Sequence, residues 1–76
     1  MGLVSKLSRQ PLQVRANHLP VECTYDIVTD QSGKRCLQLD TYGSSKREIP
    51  GKKSQSIRFS PEALAQLKDL LRENDL

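Results

Sequence analysis

Apolar and polar side chains alternate along two neighbouring stretches of the chain, and this period of two predicts β-strands. The first stretch has its apolar positions at Val21, Cys23, Tyr25 and Ile27. In the second stretch the corresponding positions are Leu37, Leu39 and Thr41. The segment between them, Asp-Gln-Ser-Gly-Lys over residues 30–34, is rich in turn-forming residues, so the two strands are predicted to form a hairpin.

The loop of this hairpin fixes how the two strands pair. A three-residue loop over residues 31–33, with Gly33 in the left-handed conformation, sets Ile27 opposite Leu37 and Tyr25 opposite Leu39. A loop of two or four residues would instead bring Ile27 opposite Gln38 and mix the faces. The three-residue loop is favoured because it alone keeps one face of the hairpin apolar.

The same register separates the two cysteines. Cys23 falls on the apolar face, opposite Thr41, where it is predicted to be a small core residue. Cys36 falls on the other face, and side chains on opposite faces cannot reach disulfide geometry. Neither thiol has His or acidic partners at metal-ligand spacing, so both are expected to be reduced and no metal or other cofactor is expected.

A third strand and a helix are predicted after the hairpin. The strand is Ser56-Ile57-Arg58-Phe59, and Ser60-Pro61-Glu62 is typical of a helix start, with Ser at the N-cap, Pro at the first helical position and an acid in the first turn. An apolar stripe at helical spacing follows at Ala63, Leu64, Leu67, Leu70 and Leu71.

The N-terminal part of the chain has a weaker pattern. Leu12, Val14 and Ala16 alternate with polar residues and indicate a short strand, whereas residues 1–11 are expected to be a flexible arm that contributes at most a fourth strand or a turn. The expected fold is α+β: a small antiparallel sheet of three to four strands followed by one C-terminal amphipathic helix. Residues 12–76 would then form a single β-β-β-α domain.

Composition sharpens this expectation. The chain has 76 residues, 36% of them hydrophobic, with no Trp and one Phe, so its core would be thin. Burial against a second copy would relieve that shortage, and a homodimer is expected. No apolar run is long enough to span a bilayer and no hydrophobic signal region is present, so a cytoplasmic location without membrane contact is expected.

Catalytic chemistry has little support in the sequence. The one histidine, His18, lies two residues before Pro20 in a predicted connection, with no acid or nucleophile at a suggestive spacing. Asp26 and Asp40 share a face on adjacent strands, but no pocket is implied around them. The chain is therefore predicted not to be an enzyme.

The feature with the most functional content is a basic stretch after the hairpin. Five cations stand within residues 46–58: Lys46, Arg47, Lys52, Lys53 and Arg58. Such a segment is suited to phosphate contacts, with Gln55 as a neutral donor and Tyr42 at its root as a stacking aromatic. A second interpretation has about equal weight, that the charge serves solubility and protects a sheet edge.

The predicted polar face of the hairpin limits where nucleic acid could bind. Its side chains are mostly acidic or neutral: Glu22, Thr24, Asp26, Gln38, Asp40 and Tyr42. A strand of nucleic acid laid across the middle of that face would meet repulsion. Binding is therefore expected along the basic loop and its neighbouring strand.

The order of these pieces resembles a known family. The hairpin with Leu37-Gln38-Leu39-Asp40, the segment Pro50-Gly51-Lys52-Lys53, the strand over residues 56–59, Ser60-Pro61-Glu62 and Gln66-Leu67-Lys68 are similar to the positive cofactor four family of single-stranded-DNA-binding transcription coactivators. A more distant likeness is to Pur-alpha and Whirly domains. The resemblance covers about residues 21–71. It implies a curved antiparallel sheet with a packed helix, dimerisation, and phosphate contacts by Lys52 and Lys53.

Two functions are compatible with the sequence. The first is a non-catalytic module that binds single-stranded DNA or RNA through the basic loop and strand over residues 43–58. The second is a small protein-interaction module, such as an adaptor or a phage-encoded inhibitor, that places the same loop on an acidic protein surface.

Overall fold

The computed structural model describes residues 2–13, 18–43 and 53–76. Within them the chain forms four strands and one helix: β1 (Gly2–Val4), β2 (Cys23–Thr29), β3 (Arg35–Tyr42), β4 (Lys53–Phe59) and α1 (Pro61–Glu73). The strands make one sheet in the order β1-β4-β3-β2, and α1 follows the last strand. The predicted fold class, a small α+β domain with a C-terminal helix, is confirmed.

The hairpin has the predicted register. Ile27 pairs with Leu37, and Tyr25 pairs with Leu39. The backbone N–H of Asp30 donates to the carbonyl of Lys34 at 2.9 Å, which closes the three-residue loop. Gly33 has a φ of 84°, the left-handed conformation that a side chain disfavours. The turn chemistry and the apolar alternation therefore select the same pairing.

The carboxylate of Asp30 organises this loop from within. Its Oδ1 accepts hydrogen bonds from the Ser32 N–H at 2.9 Å, the Ser32 hydroxyl at 2.7 Å and the Lys34 N–H at 2.9 Å. These bonds, first among them the one from the Ser32 hydroxyl, favour the ionised form and lower the pKa of Asp30. The loop is thus held by the side chain at its first position.

The outer part of the sheet differs from the expectation in two respects. β1 pairs with β4 in parallel, with Val4 beside Phe59, so the arm contributes a strand and the sheet is mixed. The strand predicted to start at Leu12 is not seen at Leu12 and Gln13, and its remaining residues lie outside the described ranges. The outer edge of β4 is instead paired with β1, a segment of the predicted arm.

Helix α1 begins as predicted. The Ser60 hydroxyl accepts a hydrogen bond from the Ala63 N–H at 3.1 Å, and Pro61 occupies the first turn. The Ser60 N–H donates to the Val4 carbonyl at 3.0 Å, which joins the helix start to β1. The helix contacts β3 and β4. Among the described residues no helix has the length and apolarity needed to cross a membrane.

The core is small, and the expectation for the cysteines was wrong in one respect. Among the described residues the buried hydrophobic side chains are those of Cys36 and Ala63. Both cysteines are free, but Cys36 is the buried one and Cys23 is exposed. The buried thiol lies on the side of the sheet opposite the apolar face, where Cys36 pairs with Val28, and Cys23 is not a core residue.

The pairings define two faces of the sheet. The apolar face, as we use the term, consists of side chains on β2, β3 and β4 that share one side: Tyr25, Ile27, Leu37, Leu39, Ile57 and Phe59. The opposite side also carries Val28 and the buried Cys36. The polar face, as we use the term, is the polar group on that side: Thr24, Asp26, Gln38, Asp40, Tyr42, Lys53, Ser56 and Arg58. The apolar face was expected to be the core, yet Tyr25 is 73% exposed and Ile27 is 53% exposed.

Candidate nucleic-acid interface

The polar face brings the described part of the basic stretch against β3. The pairing of β3 with β4 sets Gln38 beside Arg58 and Asp40 beside Ser56. A register irregularity between Thr41 and Tyr42 then brings Lys53 beside Tyr42. Because neighbouring residues on paired strands point the same way, their side chains form a continuous group.

Arg58 is held in place by a neutral partner. Its Nε and Nη2 atoms both donate to the side-chain oxygen of Gln38, at 3.1 and 2.6 Å. Among the described residues no carboxylate forms an ion pair with Arg58. The guanidinium is thus fixed in orientation while its positive charge is not neutralised, a state suited to a phosphate or a carboxylate from outside.

Asp40 is the centre of the same group. Its Oδ1 accepts from the Ser56 hydroxyl at 2.5 Å and from the Gln38 amide at 3.1 Å. The Lys53 ammonium lies 3.2 Å from its Oδ2. The Ser56 hydrogen bond, aided by Lys53 and Gln38, lowers the pKa of Asp40 against the opposing effect of desolvation. Asp40 is therefore held as an ionised carboxylate.

These contacts change the charge expected for the polar face. The Lys53 ammonium offsets the carboxylate of Asp40, so the half of the face over β3 and β4 retains the positive charge of Arg58. The acids Glu22 and Asp26 belong to the β2 side, where Asp26 accepts a hydrogen bond from the Ile27 N–H at 2.8 Å. The repulsion predicted for the whole face is thus confined to its β2 side.

The two other described site candidates fall in different places. The Tyr42 hydroxyl lies 3.0 Å from the Thr24 hydroxyl on the polar face, so this ring is anchored across the hairpin. Gln55 pairs with Thr41 and lies on the opposite side of the sheet, away from Arg58. Lys46, Arg47 and Lys52 lie outside the described residues.

A recess beside Arg58 offers room for a ligand group. It has a volume of about 260 Å³ and is lined by Gly2, Leu3, Gln38, Ser56 and Arg58. That volume is smaller than a typical small-molecule pocket but sufficient for a phosphate group. The recess is open, and β1 forms one of its walls.

Sequence reasoning missed three members of this group as site residues. Gln38 and Asp40 were assigned to a mostly acidic or neutral surface, and Ser56 was assigned only to the predicted strand over residues 56–59. Gln38 and Asp40 are two residues apart on β3, and Ser56 and Arg58 are two residues apart on β4. Each pair therefore shares a face, and this spacing is visible in the sequence. The pairing that joins them could not be predicted, because turn geometry does not fix the register across the long connection between β3 and β4.

Neither metal chemistry nor a known relative assigns a role to this site. Within residues 2–13, 18–43 and 53–76, no group of three or more His, Cys, Asp or Glu side chains is placed to hold a metal ion. No family model matches the chain, and neither the curated proteins nor the solved structures contain a significant match. The resemblance to the positive cofactor four family stays a prediction carried by the residues quoted above.

Proposed function

We propose that this chain is a non-catalytic nucleic-acid-binding module that takes single-stranded DNA or RNA along β4 and the basic loop before it. The observation that carries the proposal is the fixed, un-neutralised guanidinium of Arg58, held by the neutral oxygen of Gln38. Arginine presented in this way suits phosphate oxygens, because its planar donors match them and its orientation is set in advance.

Two further features support the same placement. Lys53 stands at the start of β4, 58% exposed at its side chain, and continues directly from the basic loop. Asp40 faces Ser56, Gln38 and Lys53, so its charge is offset close to where a phosphate would lie. A backbone of nucleic acid that follows β4 would therefore pass cations in sequence and avoid the acids on β2.

The direct test is binding of a fluorescently labelled single-stranded oligonucleotide, followed by anisotropy over a range of salt concentrations. The affinity should fall as salt rises, with a log–log slope of about −0.7 for each phosphate neutralised. In the double variant Lys52→Glu/Lys53→Glu the affinity should drop by about tenfold or more and the slope should become shallower.

The matched control is Lys68→Glu, a charge reversal at an exposed position of α1 and outside the basic stretch of the sequence. It should leave both the affinity and the slope nearly unchanged. Absence of binding at low salt would refute the proposal. A partner that is captured by the chain from nuclease-treated extract, and lost in the Lys52→Glu/Lys53→Glu variant, would favour the protein-interaction alternative.

A further inference from the structure

The outer edge of β2 presents backbone groups that no strand pairs with. β2 is last in the sheet order, and within the described ranges only β3 lies beside it. The Tyr42 N–H donates to the Glu22 carbonyl at 3.0 Å, and at the other end of the pair the Asp30 N–H donates at 2.9 Å. Because bonded and non-bonded residues alternate in antiparallel pairs, the even-numbered residues of β2 bond to β3. The odd-numbered residues point their N–H and C=O groups outwards: Cys23, Tyr25, Ile27 and Thr29.

The two sides of this edge differ in chemistry. On the side of the polar face, Glu22 and Asp26 are both exposed and stand four residues apart. On the other side, Tyr25 is 73% exposed and Ile27 is 53% exposed. Residues 21–30 contain three acids and no Lys, Arg or His, within a chain whose net charge is +3. The edge of β2 is therefore an acidic and apolar strip on a basic protein.

One of the outward N–H groups already has an acidic partner. The Ile27 N–H donates to Oδ1 of Asp26 at 2.8 Å. A strand that paired with β2 would compete for this N–H and displace the carboxylate. Beside a neutral strand the displaced carboxylate would gain nothing in return, whereas a Lys or Arg on the incoming strand would pair with it. Asp26 thus favours a basic partner over a neutral one.

Other partners fit this edge less well. Two β2 strands paired edge to edge in one sheet would bring Glu22 and Asp26 of each copy toward the acids of the other, which is destabilising. Nucleic acid would be repelled by the same carboxylates. The cations of the hairpin, Lys34 and Arg35, both stand at its loop end, and Lys34 lies 3.3 Å from Glu62 on α1. They leave the acids at 22 and 26 to a partner from outside.

We propose that the outer edge of β2 is a docking site for an extended segment of another protein, in which basic and apolar side chains alternate. The segment adds to the sheet as a further strand, and its backbone bonds to the outward groups of Cys23, Tyr25 and Ile27. Its Lys or Arg side chains lie beside Glu22 and Asp26, and its apolar side chains lie on the opposite side. The inference does not depend on the proposed function, because β4 and the basic loop take no part in it.

The test is the binding of a fluorescein-labelled synthetic peptide that alternates Lys and Val, titrated with the full chain at low salt without nucleic acid and followed by anisotropy. Binding should saturate. A peptide with Glu in place of every Lys should bind at least about tenfold more weakly, because it meets the acids of β2. A third peptide keeps every charge but carries methyl groups on alternate backbone nitrogens. It should also bind at least about tenfold more weakly, because it lacks the donors for strand pairing.

Variants of the chain locate the contact. Asp26→Lys should weaken binding of the Lys–Val peptide by about tenfold or more and strengthen binding of the Glu–Val peptide. The matched control, Glu73→Lys at an exposed position of α1, should change neither clearly. Tyr25→Pro removes an outward N–H without a ladder bond to β3 and should abolish binding, whereas Tyr25→Thr keeps that N–H and should bind more tightly than Tyr25→Pro.

The peptides alone decide the matter on the wild-type chain if Tyr25→Pro fails to fold. No saturable binding of the Lys–Val peptide at low salt overturns the proposal. Equal affinities for the methylated and unmethylated peptides overturn it as well, because contact through charge alone needs no strand pairing. A wild-type affinity retained in Asp26→Lys would place the peptide elsewhere on the chain and would also refute the proposal.

Discussion

The two faces of the sheet differ in how their side chains are satisfied. On the polar face, the side chains pair with one another: Arg58 with Gln38, and Asp40 with Ser56 and Lys53. On the apolar face, Tyr25 and Ile27 stay largely exposed, and their apolar surface forms no hydrogen bond that could compensate for contact with water. The polar face is thus satisfied by contacts within the chain, whereas the apolar face leaves apolar surface exposed to solvent.

This difference explains where binding specificity can reside. The hydrogen bonds of the polar face constrain the orientation of its side chains, and among the described residues no buried side-chain polar atom lacks a partner. The apolar face imposes no such orientation, and its contribution to free energy scales with the apolar area that is buried. We therefore expect recognition of a charged ligand on the polar face and stabilisation of the fold on the apolar face.

The largest effect should come from reversing the charge of Arg58. Arg58→Glu removes the oriented guanidinium and places a carboxylate beside Asp40, so affinity for a single-stranded oligonucleotide should fall by more than about tenfold, or about 1.4 kcal/mol. Anisotropy at fixed low salt measures it. The control is Gln55→Glu, also on β4 but on the other side of the sheet, which should cost clearly less. Equal losses would mean that the two faces do not differ in ligand binding.

The separation of the two faces depends on the loop at Gly33, and a change there should affect both. Gly33→Ala puts a side chain on a residue with a φ of 84°, where no neighbouring atom obstructs the new carbon but the backbone conformation is unfavourable. We expect a loss of roughly 1 kcal/mol in the free energy of unfolding. Urea denaturation measures it, with Gln31→Ala in the same loop as control. An unchanged midpoint would show that the apolar alternation alone maintains the register.

The hairpin and the helix start were predictable because each is specified by local chemistry. Asp30 and Gly33 set the loop, and Ser60 with Pro61 sets the first turn of α1. The burial of the apolar face was not predictable in the same way. Alternation shows which residues share a face, but it does not show whether the helix covers that face, and here α1 leaves Tyr25 and Ile27 exposed.

The residues of the candidate site also differ in how far the sequence could predict them. Arg58 and Lys53 were identified by their charge, which any sequence displays. Gln38, which orients Arg58, was not identified, because its role depends on a pairing between strands that a long connection separates. β1 was also unexpected as a parallel strand, since three residues carry no measurable period.

A smaller effect should follow from removing the support of Arg58 while keeping its charge. In Gln38→Leu the guanidinium loses its acceptor and becomes free to move, so oligonucleotide affinity should fall by about threefold through lost pre-organisation. The salt slope should stay unchanged because the number of cations is the same. Anisotropy across salt separates the two quantities. A slope that changes with Gln38→Leu would mean that the variant disturbs more than the orientation of Arg58.

The smallest effect should be the part of the pH dependence of stability that Asp40 contributes. The pKa of Asp40 is lowered in the folded chain, first by the Ser56 hydroxyl. The stabilisation it provides is therefore complete above the ordinary aspartate pKa of about 3.9 and is lost as the pH falls through the lower folded value. Asp40→Asn should lower the unfolding midpoint at neutral pH, and the gap to the wild-type chain should close on acidification.

Ser56→Ala tests the cause of this pH dependence. It removes the hydroxyl that contributes most to lowering the pKa of Asp40, so the carboxyl should titrate closer to its ordinary value in an NMR titration of the side chain. Ser54→Ala, an exposed change two residues earlier on β4, is the matched control and should leave the titration unchanged. If Ser56→Ala and Ser54→Ala titrate alike, the Lys53 ammonium rather than the hydroxyl sets the charge of Asp40. The polar face would then be maintained by ion pairing, which salt weakens. Salt would lower its affinity for a phosphate in two ways, by screening the phosphate contact and by weakening the ion pair between Asp40 and Lys53.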